Sequence, residues 1–401
     1  MTVAMEREAR LGVGSESGCW PTPLQKLVLR AALLEGREAL DAWQEWKNTA
    51  DLDAIDIGSH RMLPQLYNNL STHGVRDPLL QKFTSVYRYY WYKNEMLLRT
   101  GGAVLKVLHQ AGLETMALKG AALIPLYYRH AALRPMNDFD IAVPVSRVTT
   151  AMRLLDRLGW RSSCTFAPAL IPILHATAFS DAQGQQLDLH WHVLRGCWNA
   201  THDSGFWHRS VAISIGHQPT RALDPTDQLL HICWHGAEWN PVPAIRWVAD
   251  AMMILKTDHA RVDWERFVQQ AALHHLHLPI YHSLTYLRKN FQASIPERVL
   301  ENIGSLPRTK LEQHGYRMLT EPITQPTTRE LLRTLRYEYH RLASGVPAWR
   351  GPLLFALWLR GQFAIEKPWR LLFILPYRAL RWTVRRTSWH GRTLWLGLGG
   401  A

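Results

Sequence analysis

Cysteine is scarce in this chain of 401 residues: Cys19, Cys164, Cys197 and Cys233 lie far apart, and no two form a C-x-x-C pair. That spacing excludes a zinc ribbon and a disulfide framework, and makes a reducing cytoplasm the expected compartment. Long apolar runs are also missing. The longest uncharged stretch, Ser162–Ser180, contains Pro168, Pro172 and His175 and reads as strand and loop, because a bilayer span needs about 20 apolar residues in succession. Residues 1–10 mix acidic and basic side chains without the apolar centre of a secretory signal, so no export is expected. Internal repeats and low-complexity tracts are absent too. The 47% hydrophobic content is nevertheless enough for a sizeable core divided among two or three domains.

Acidic residues are outnumbered 33 to 46 by lysine and arginine, for a formal charge of +13, and the imbalance is concentrated at one end. Residues 344–401 carry eight arginines and one lysine against a single glutamate, which is +8 of that total. Trp349, Trp358, Trp369, Trp382, Trp389 and Trp395 fall in the same segment, with short apolar runs such as Leu353–Trp358 and Leu371–Leu375. Tryptophan, arginine and short apolar runs together suit a segment lying on an anionic membrane surface, and none of the runs is long enough to span. The competing reading is a helix pair docked on the body of the protein. Contact with nucleic acid ranks third, since no recognised module accompanies the basic residues.

The chain is organised around residues 113–144, LETMALKGAALIPLYYRHAALRPMNDFDIAVP. An apolar run, a turn at Lys119-Gly120, an apolar helical segment and a second apolar run give strand, glycine turn, helix, strand. Alternation along the last strand puts Asp138 and Asp140 on one face and Phe139 and Ile141 on the other. Two carboxylates on one face repel each other unless a cation lies between them, and magnesium favours one or two carboxylates with substrate phosphates. A glycine turn opening a helix presents backbone N–H groups to an anion. The pair of features describes a pocket for a nucleoside triphosphate such as ATP. Arg134 precedes the acidic pair and is read either as a bidentate phosphate partner or as a surface loop charge.

Further on, a hairpin is expected at Asp181-Ala-Gln-Gly184, followed by a strand over 186–194. Asp188, His190 and His192 share one face of it, with Leu187, Leu189, Trp191 and Val193 on the other. Helical periodicity covers residues 23–100, and the cluster Tyr87, Tyr89–Tyr92 is read as a buried helix face or as a base-stacking surface. From Asp224 the pattern is helical again, with Asp224-Pro-Thr-Asp227 as a capped start. His231 and His235 have the i, i+4 spacing of a zinc pair but lack a protease glutamate, and read as interior histidines. The histidines of Leu273–His277 do not converge on a point, and 294–328 reads as a looser connection.

LKG, a helix and then RPMNDFDIAV resemble the nucleotidyltransferases of the DNA polymerase beta-like superfamily, most closely the family described as uncharacterised nucleotidyltransferase. His60–Pro64, Leu187–Trp191, Ile245–Asp250 and Val262–Trp264 add to the resemblance, which covers roughly residues 20 to 280 and omits the C-terminal tail. It implies an α+β fold, with a small mixed nucleotidyltransferase sheet and flanking helices between helical N-terminal and C-terminal lobes. The expected divisions are 1–100 for the N-terminal lobe, 101–200 for the core, 201–343 for the C-terminal lobe and 344–401 for the tail.

The resemblance makes Asp138 and Asp140 metal ligands and Asp188 the third carboxylate, sharing two magnesium ions, and matches Gly120 to the turn glycine that meets the triphosphate; Lys119 and Arg134 are this chain's own candidate phosphate partners beside it. The reaction implied moves a nucleoside monophosphate from an NTP to an acceptor hydroxyl and releases pyrophosphate. The acceptor, whether protein, peptide, sugar or lipid-linked intermediate, is open. One departure stands out. Many superfamily members have Gly-Ser at the turn, whereas here Ala121 follows Gly120, and Lys119 is the substitute phosphate partner. The alternative function is an inactive adaptor at the inner face of the membrane, built on the same scaffold; keeping three self-repelling carboxylates argues against it.

Overall fold

Residues 18–163, 168–195, 200–238, 240, 242–257, 261–321, 328–343 and 346–362 are described by the computed structural model. The expectations for Cys164, Cys197 and the tail beyond residue 362 lie outside them. The architecture is mixed α+β, with a seven-stranded sheet and many helices. Two compact units interleave along the chain: the first is drawn from 1–99, 119–136 and 223–323, the second from 100–118, 137–222 and 324–401.

The first unit is helical. Its opening helix, Pro23–Leu33, starts where the sequence provides every signal for a start: Thr22 accepts from the Gln25 N–H, the Gln25 side chain returns the bond to the Thr22 N–H, and proline occupies the first turn. Gly36–Thr49 follows, burying Trp43 and Trp46 completely with their rings stacked at 5.8 Å. Burial of a large apolar side chain is worth about 1.5–3 kcal/mol, so this pair anchors the N-terminal helices. After residue 223, Asp224 caps Pro225–Gly236 through bonds from the Thr226 and Asp227 N–H groups. The region 294–328, expected to be a loose connection, contains the helices Glu297–Ser305 and Lys310–Thr320. The second of these begins with a capping box between Thr309 and Glu312.

The second unit holds the sheet. Its strands are β1 (Met116–Ala117), β2 (Asp138–Ala142), β3 (Arg161–Ser162), β4 (Ala176–Ser180), β5 (Gln186–His190), β6 (Val211–Ile215) and β7 (Gln218–Ala222). They are arranged in the order β3-β4-β5-β2-β1-β7-β6, with β2–β5 and β1–β7 parallel and the other pairs antiparallel. The expected hairpin at Asp181–Gly184 joins β4 to β5: Asp181 Oδ1 accepts from the N–H groups of Gln183 and Gln185, and Gly184 takes the left-handed conformation. β5 stops at His190, four residues short of the expected end, because the Trp191 and His192 N–H groups both turn to the His175 carbonyl. The sheet also reaches past residue 200, through the β6–β7 hairpin.

Packing fixes which face of β2 turns inward. Phe139 and Ile141 are fully buried, and a Cβ on Gly101, near the end of the helix Pro78–Gln110, would lie 2.3 Å from the Phe139 ring. Only glycine lets helix and ring approach that closely. With Phe139 committed to that side, Asp138 and Asp140 take the other. Among the described C-terminal residues, Arg350–Gln362 packs Leu354 with Leu342 and Ile173, and Phe355 stacks on Trp358. No helix of the described residues is long and apolar enough to cross a membrane.

Candidate active site

Parallel pairing sets β2 and β5 in a register that aligns Asp138 with Gln186, Asp140 with Asp188 and Ala142 with His190. Asp140 and Asp188 are thus direct neighbours on adjacent strands, and His190, two residues beyond Asp188, shares their face. Leu187 and Leu189 fill the opposite face with no exposure. Asp140 is buried and Asp188 half-buried.

Asp140, Asp188 and His190 form a group whose ligand atoms all lie within 4.8 Å of one another. The His190 Nε2 is 3.0 Å from Asp140 Oδ1, and its buried Nδ1 has no hydrogen-bond partner. Two carboxyl groups and an imidazole in that compass have the chemistry and spacing of a divalent-cation site. Asp138 lies on the same strand face, half-buried and outside this group. His192, expected on the same face, is drawn away: it is buried and its Nδ1 bonds the Asp203 carboxylate, whose other oxygen accepts from the Val193 N–H.

The Lys119-Gly120 turn belongs to the helical unit. The residue in the left-handed conformation is Lys119, at φ 44°, and not the glycine. For a residue with a side chain that conformation costs about 1–2 kcal/mol. Gly120 is already in the short helix Lys119–Leu123, and it is bare for another reason: a Cβ there would lie 2.4 Å from Met136 Sδ and 2.6 Å from Arg134 Nη1. A π-helical turn, Ile124–Tyr128, continues the segment, and Arg129 at φ 58° ends it.

Arg134 is not a surface loop charge. It is 9% exposed, and its Nε and Nη2 reach the two carboxylate oxygens of Asp250 at 3.1 and 2.8 Å. This is the fork geometry that makes arginine–carboxylate pairs strong. The Tyr128 hydroxyl donates to Asp250 Oδ1 at 2.7 Å. Burial, and after it the Asp250 charge, hold that phenol well above the usual tyrosine range, so it remains a donor. Asn94 fastens the same loop, donating to the Ala131 and Arg134 carbonyls and accepting from the Met136 N–H.

Alternation along β5 puts His190 on the acidic face but gives it no role, and nothing in the sequence pairs Asp250 with Arg134. A D-x-H spacing on a strand was the signal for the first. The second joins residues 116 apart, and only a fold can announce it. Among the described residues, His231 and His235 belong to no metal-ligand group, and His275 and His277 face Glu312 at 2.9 and 3.7 Å. Of the aromatic cluster on Pro78–Gln110, Tyr90 is buried, whereas Tyr89, Trp91 and Tyr92 are exposed.

A mixed sheet carrying acidic side chains on neighbouring parallel strands, in a chain that is otherwise mostly helical, has the features of a nucleotidyltransferase-like α+β protein. The chain belongs to the family described as uncharacterised nucleotidyltransferase, whose model matches residues 57–292. No curated protein matches it. Among solved structures, it is similar to an antigenic nucleotidyltransferase-like protein from Paracoccidioides brasiliensis, at 14% identity and a TM-score of 0.33, over 51% of this chain and 93% of that one.

Proposed function

We propose that the protein is a metal-dependent nucleotidyltransferase that moves a nucleoside monophosphate from an NTP to an acceptor hydroxyl and releases pyrophosphate. The observation that carries this reading is the register of β2 on β5, which aligns Asp140 with Asp188 and gathers them with His190 within 4.8 Å. A divalent ion bound there supplies charge neutralisation at the α-phosphate and lowers the pKa of an attacking hydroxyl. Asp140, buried behind the cluster, is the fixed ligand. Asp188, the more exposed of the two, is the carboxylate an incoming hydroxyl reaches and hydrogen-bonds. Asp138, on the same strand face but outside that group, is proposed to hold a second ion together with the nucleotide phosphates.

Lys119 and Gly120 are proposed to take the triphosphate, Lys119 as a point charge. Arg134, whose guanidinium lies against Gly120, is proposed to join them. The reaction forms a bond between the acceptor oxygen and the α-phosphorus and breaks the α–β bridging bond. The acceptor's proton passes to Asp188 and on to solvent. The acceptor is a protein, peptide, sugar or lipid-linked hydroxyl.

Incubation with NTPs labelled at the α-phosphate, magnesium or manganese, and a cell extract is the direct test. Label is expected to become covalently attached from α-labelled but not γ-labelled nucleotide, and to be lost by a factor of about a thousand or more in Asp140→Asn and Asp188→Asn. Transfer that survives both substitutions, or that comes from the γ position, overturns the reading.

A second reading concerns the C-terminal segment. Trp349 and Leu353 are 70% and 54% exposed at the start of the last described helix, which supports attachment to an anionic membrane surface. Flotation of the full chain with anionic vesicles, compared with the double variant Trp349→Ser/Leu353→Ser, tests it; equal recovery removes the membrane role.

A further inference from the structure

We propose that His190 is an inner-sphere ligand, and that the Asp140–Asp188–His190 site is consequently selective for a first-row transition ion such as manganese over magnesium. The inference deepens the nucleotidyltransferase reading and rests on it for the site's purpose, but the metal preference is a property of the side chains alone. Three observations converge. The first is compass: one ligand atom from each of the three residues falls within 4.8 Å of the others.

The second is an unmet valence on His190. Its Nε2 faces Asp140 Oδ1 at 3.0 Å, while its Nδ1 is buried with no partner. If the ring proton sits on Nε2, it donates to Asp140 and Nδ1 presents a buried lone pair to nothing. If it sits on Nδ1, a buried N–H is left without an acceptor and Nε2 meets the carboxylate lone pair to lone pair. Either tautomer leaves one nitrogen unsatisfied, and buried polar groups are rarely left so. A cation that accepts the Nδ1 lone pair while Nε2–H donates to Asp140 resolves the mismatch, and a carboxylate hydrogen-bonded to a ligating histidine is a recurring way of orienting the ring.

The third observation is ligand type. Magnesium is bound through oxygen and retains several of its waters, and a site built for it is normally composed of carboxylates and phosphates. An imidazole moves the preference toward borderline ions, whose affinity for nitrogen rises along the first transition row from manganese. Asp138, the residue that would have made an all-oxygen set with Asp140 and Asp188, lies outside the close group. The local sequence Leu187-Asp-Leu-His190 therefore substitutes a nitrogen where an all-carboxylate site would place an oxygen.

The test uses the full chain without nucleotide. Manganese binding is followed by electron paramagnetic resonance, with magnesium as competitor, and pulsed measurements on the bound ion look for coupling to a histidine nitrogen. Nitrogen coupling is expected, together with manganese binding about tenfold or more tighter than magnesium. His190→Asn, with folding checked by circular dichroism, should lose about tenfold in manganese affinity and the nitrogen signal while holding magnesium nearly as before.

Bound manganese that shows no nitrogen coupling in the wild-type protein overturns the proposal, whatever the variant does. So does equal affinity for the two ions. Transfer activity separates this from the broader reading. Nitrogen-coupled manganese in a protein that transfers no labelled nucleotide sustains the ligand and refutes the transferase; transfer with no nitrogen coupling does the reverse.

Discussion

Two buried polar clusters in this protein are built on opposite principles. In the helical unit, Arg134, Asp250 and Tyr128 form a closed arrangement: one guanidinium, one carboxylate gripped by its fork, and a phenol held protonated by burial. In the sheet unit, Asp140 and Asp188 are brought side by side by strand register, with the His190 imidazole bonded to Asp140. The first cluster pairs opposite charges and is explained by stability of its loop. The second sets two carboxyl groups side by side with an imidazole, an arrangement that suits the cation site proposed above. A buried ion pair alone is thus a poor guide to function, and a buried mismatch a better one.

The sharpest way to break the comparison is to remove a carboxylate from each cluster and measure urea unfolding. Asp250→Ala strands the buried Arg134 guanidinium and should cost about 3–5 kcal/mol. Asp140→Asn in the metal-free protein keeps an oxygen to accept from His190 Nε2 and should change stability by less than about 1 kcal/mol while abolishing the proposed transfer. Equal losses from the two substitutions would show that both clusters are structural. A smaller effect probes the turn beside Arg134. Gly120→Ala must displace Met136 Sδ and Arg134 Nη1, which stand 2.4 and 2.6 Å from the new Cβ, and overpacking of this kind costs about 1–3 kcal/mol. An unchanged melting temperature would mean that the loop yields freely.

The smallest effect is one of pH. His60 and His282 are held below the ordinary histidine value of 6.5, in each case by burial first and then by a neighbouring arginine, Arg61 and Arg308 respectively. Their folded-state pKa values are depressed, so the unfolded chain binds more protons as pH falls through 6.5, and stability contributed by the neutral rings is present above that pH and lost below it. Thermal unfolding should shift to lower temperature between pH 7 and pH 5, and His282→Gln should flatten part of that slope. A melting temperature indifferent to pH over this range would count against burial as the cause.

Much of the site was legible because period-2 alternation needs no long-range information. Asp138-Phe-Asp140-Ile and Leu187-Asp-Leu-His190 each declare which side chains share a face, and apolar neighbours decide which face is inward. The capped start at Asp224 and the hairpin at Asp181 were equally local. Three features were not. Arg134 and Asp250 meet across 116 residues. The β6–β7 hairpin offers weak alternation, and its turn residues Gly216 and His217, both at positive φ, were the only signal, a two-residue loop of the type favoured in hairpins. Gly120 looked like a bend because glycine usually is one, whereas its bareness answers to Met136 and Arg134, residues whose approach no local rule foretells.

The alignment of β5 on β2 also dictates where this chain tolerates a change of length. Residues 181–185 form a mostly exposed loop fastened chiefly by Asp181, and extra residues there leave the strand beyond undisturbed. Deleting Gln186 is a different event: from that point each side chain changes sides, so that Leu189 replaces Asp188 opposite Asp140 and Trp191 replaces His190 opposite Ala142, while the acid and the imidazole are driven into the apolar layer. The proposed metal-binding face is therefore spelled in a frame, and losing a single residue ahead of Asp188 erases it without altering any ligand's identity.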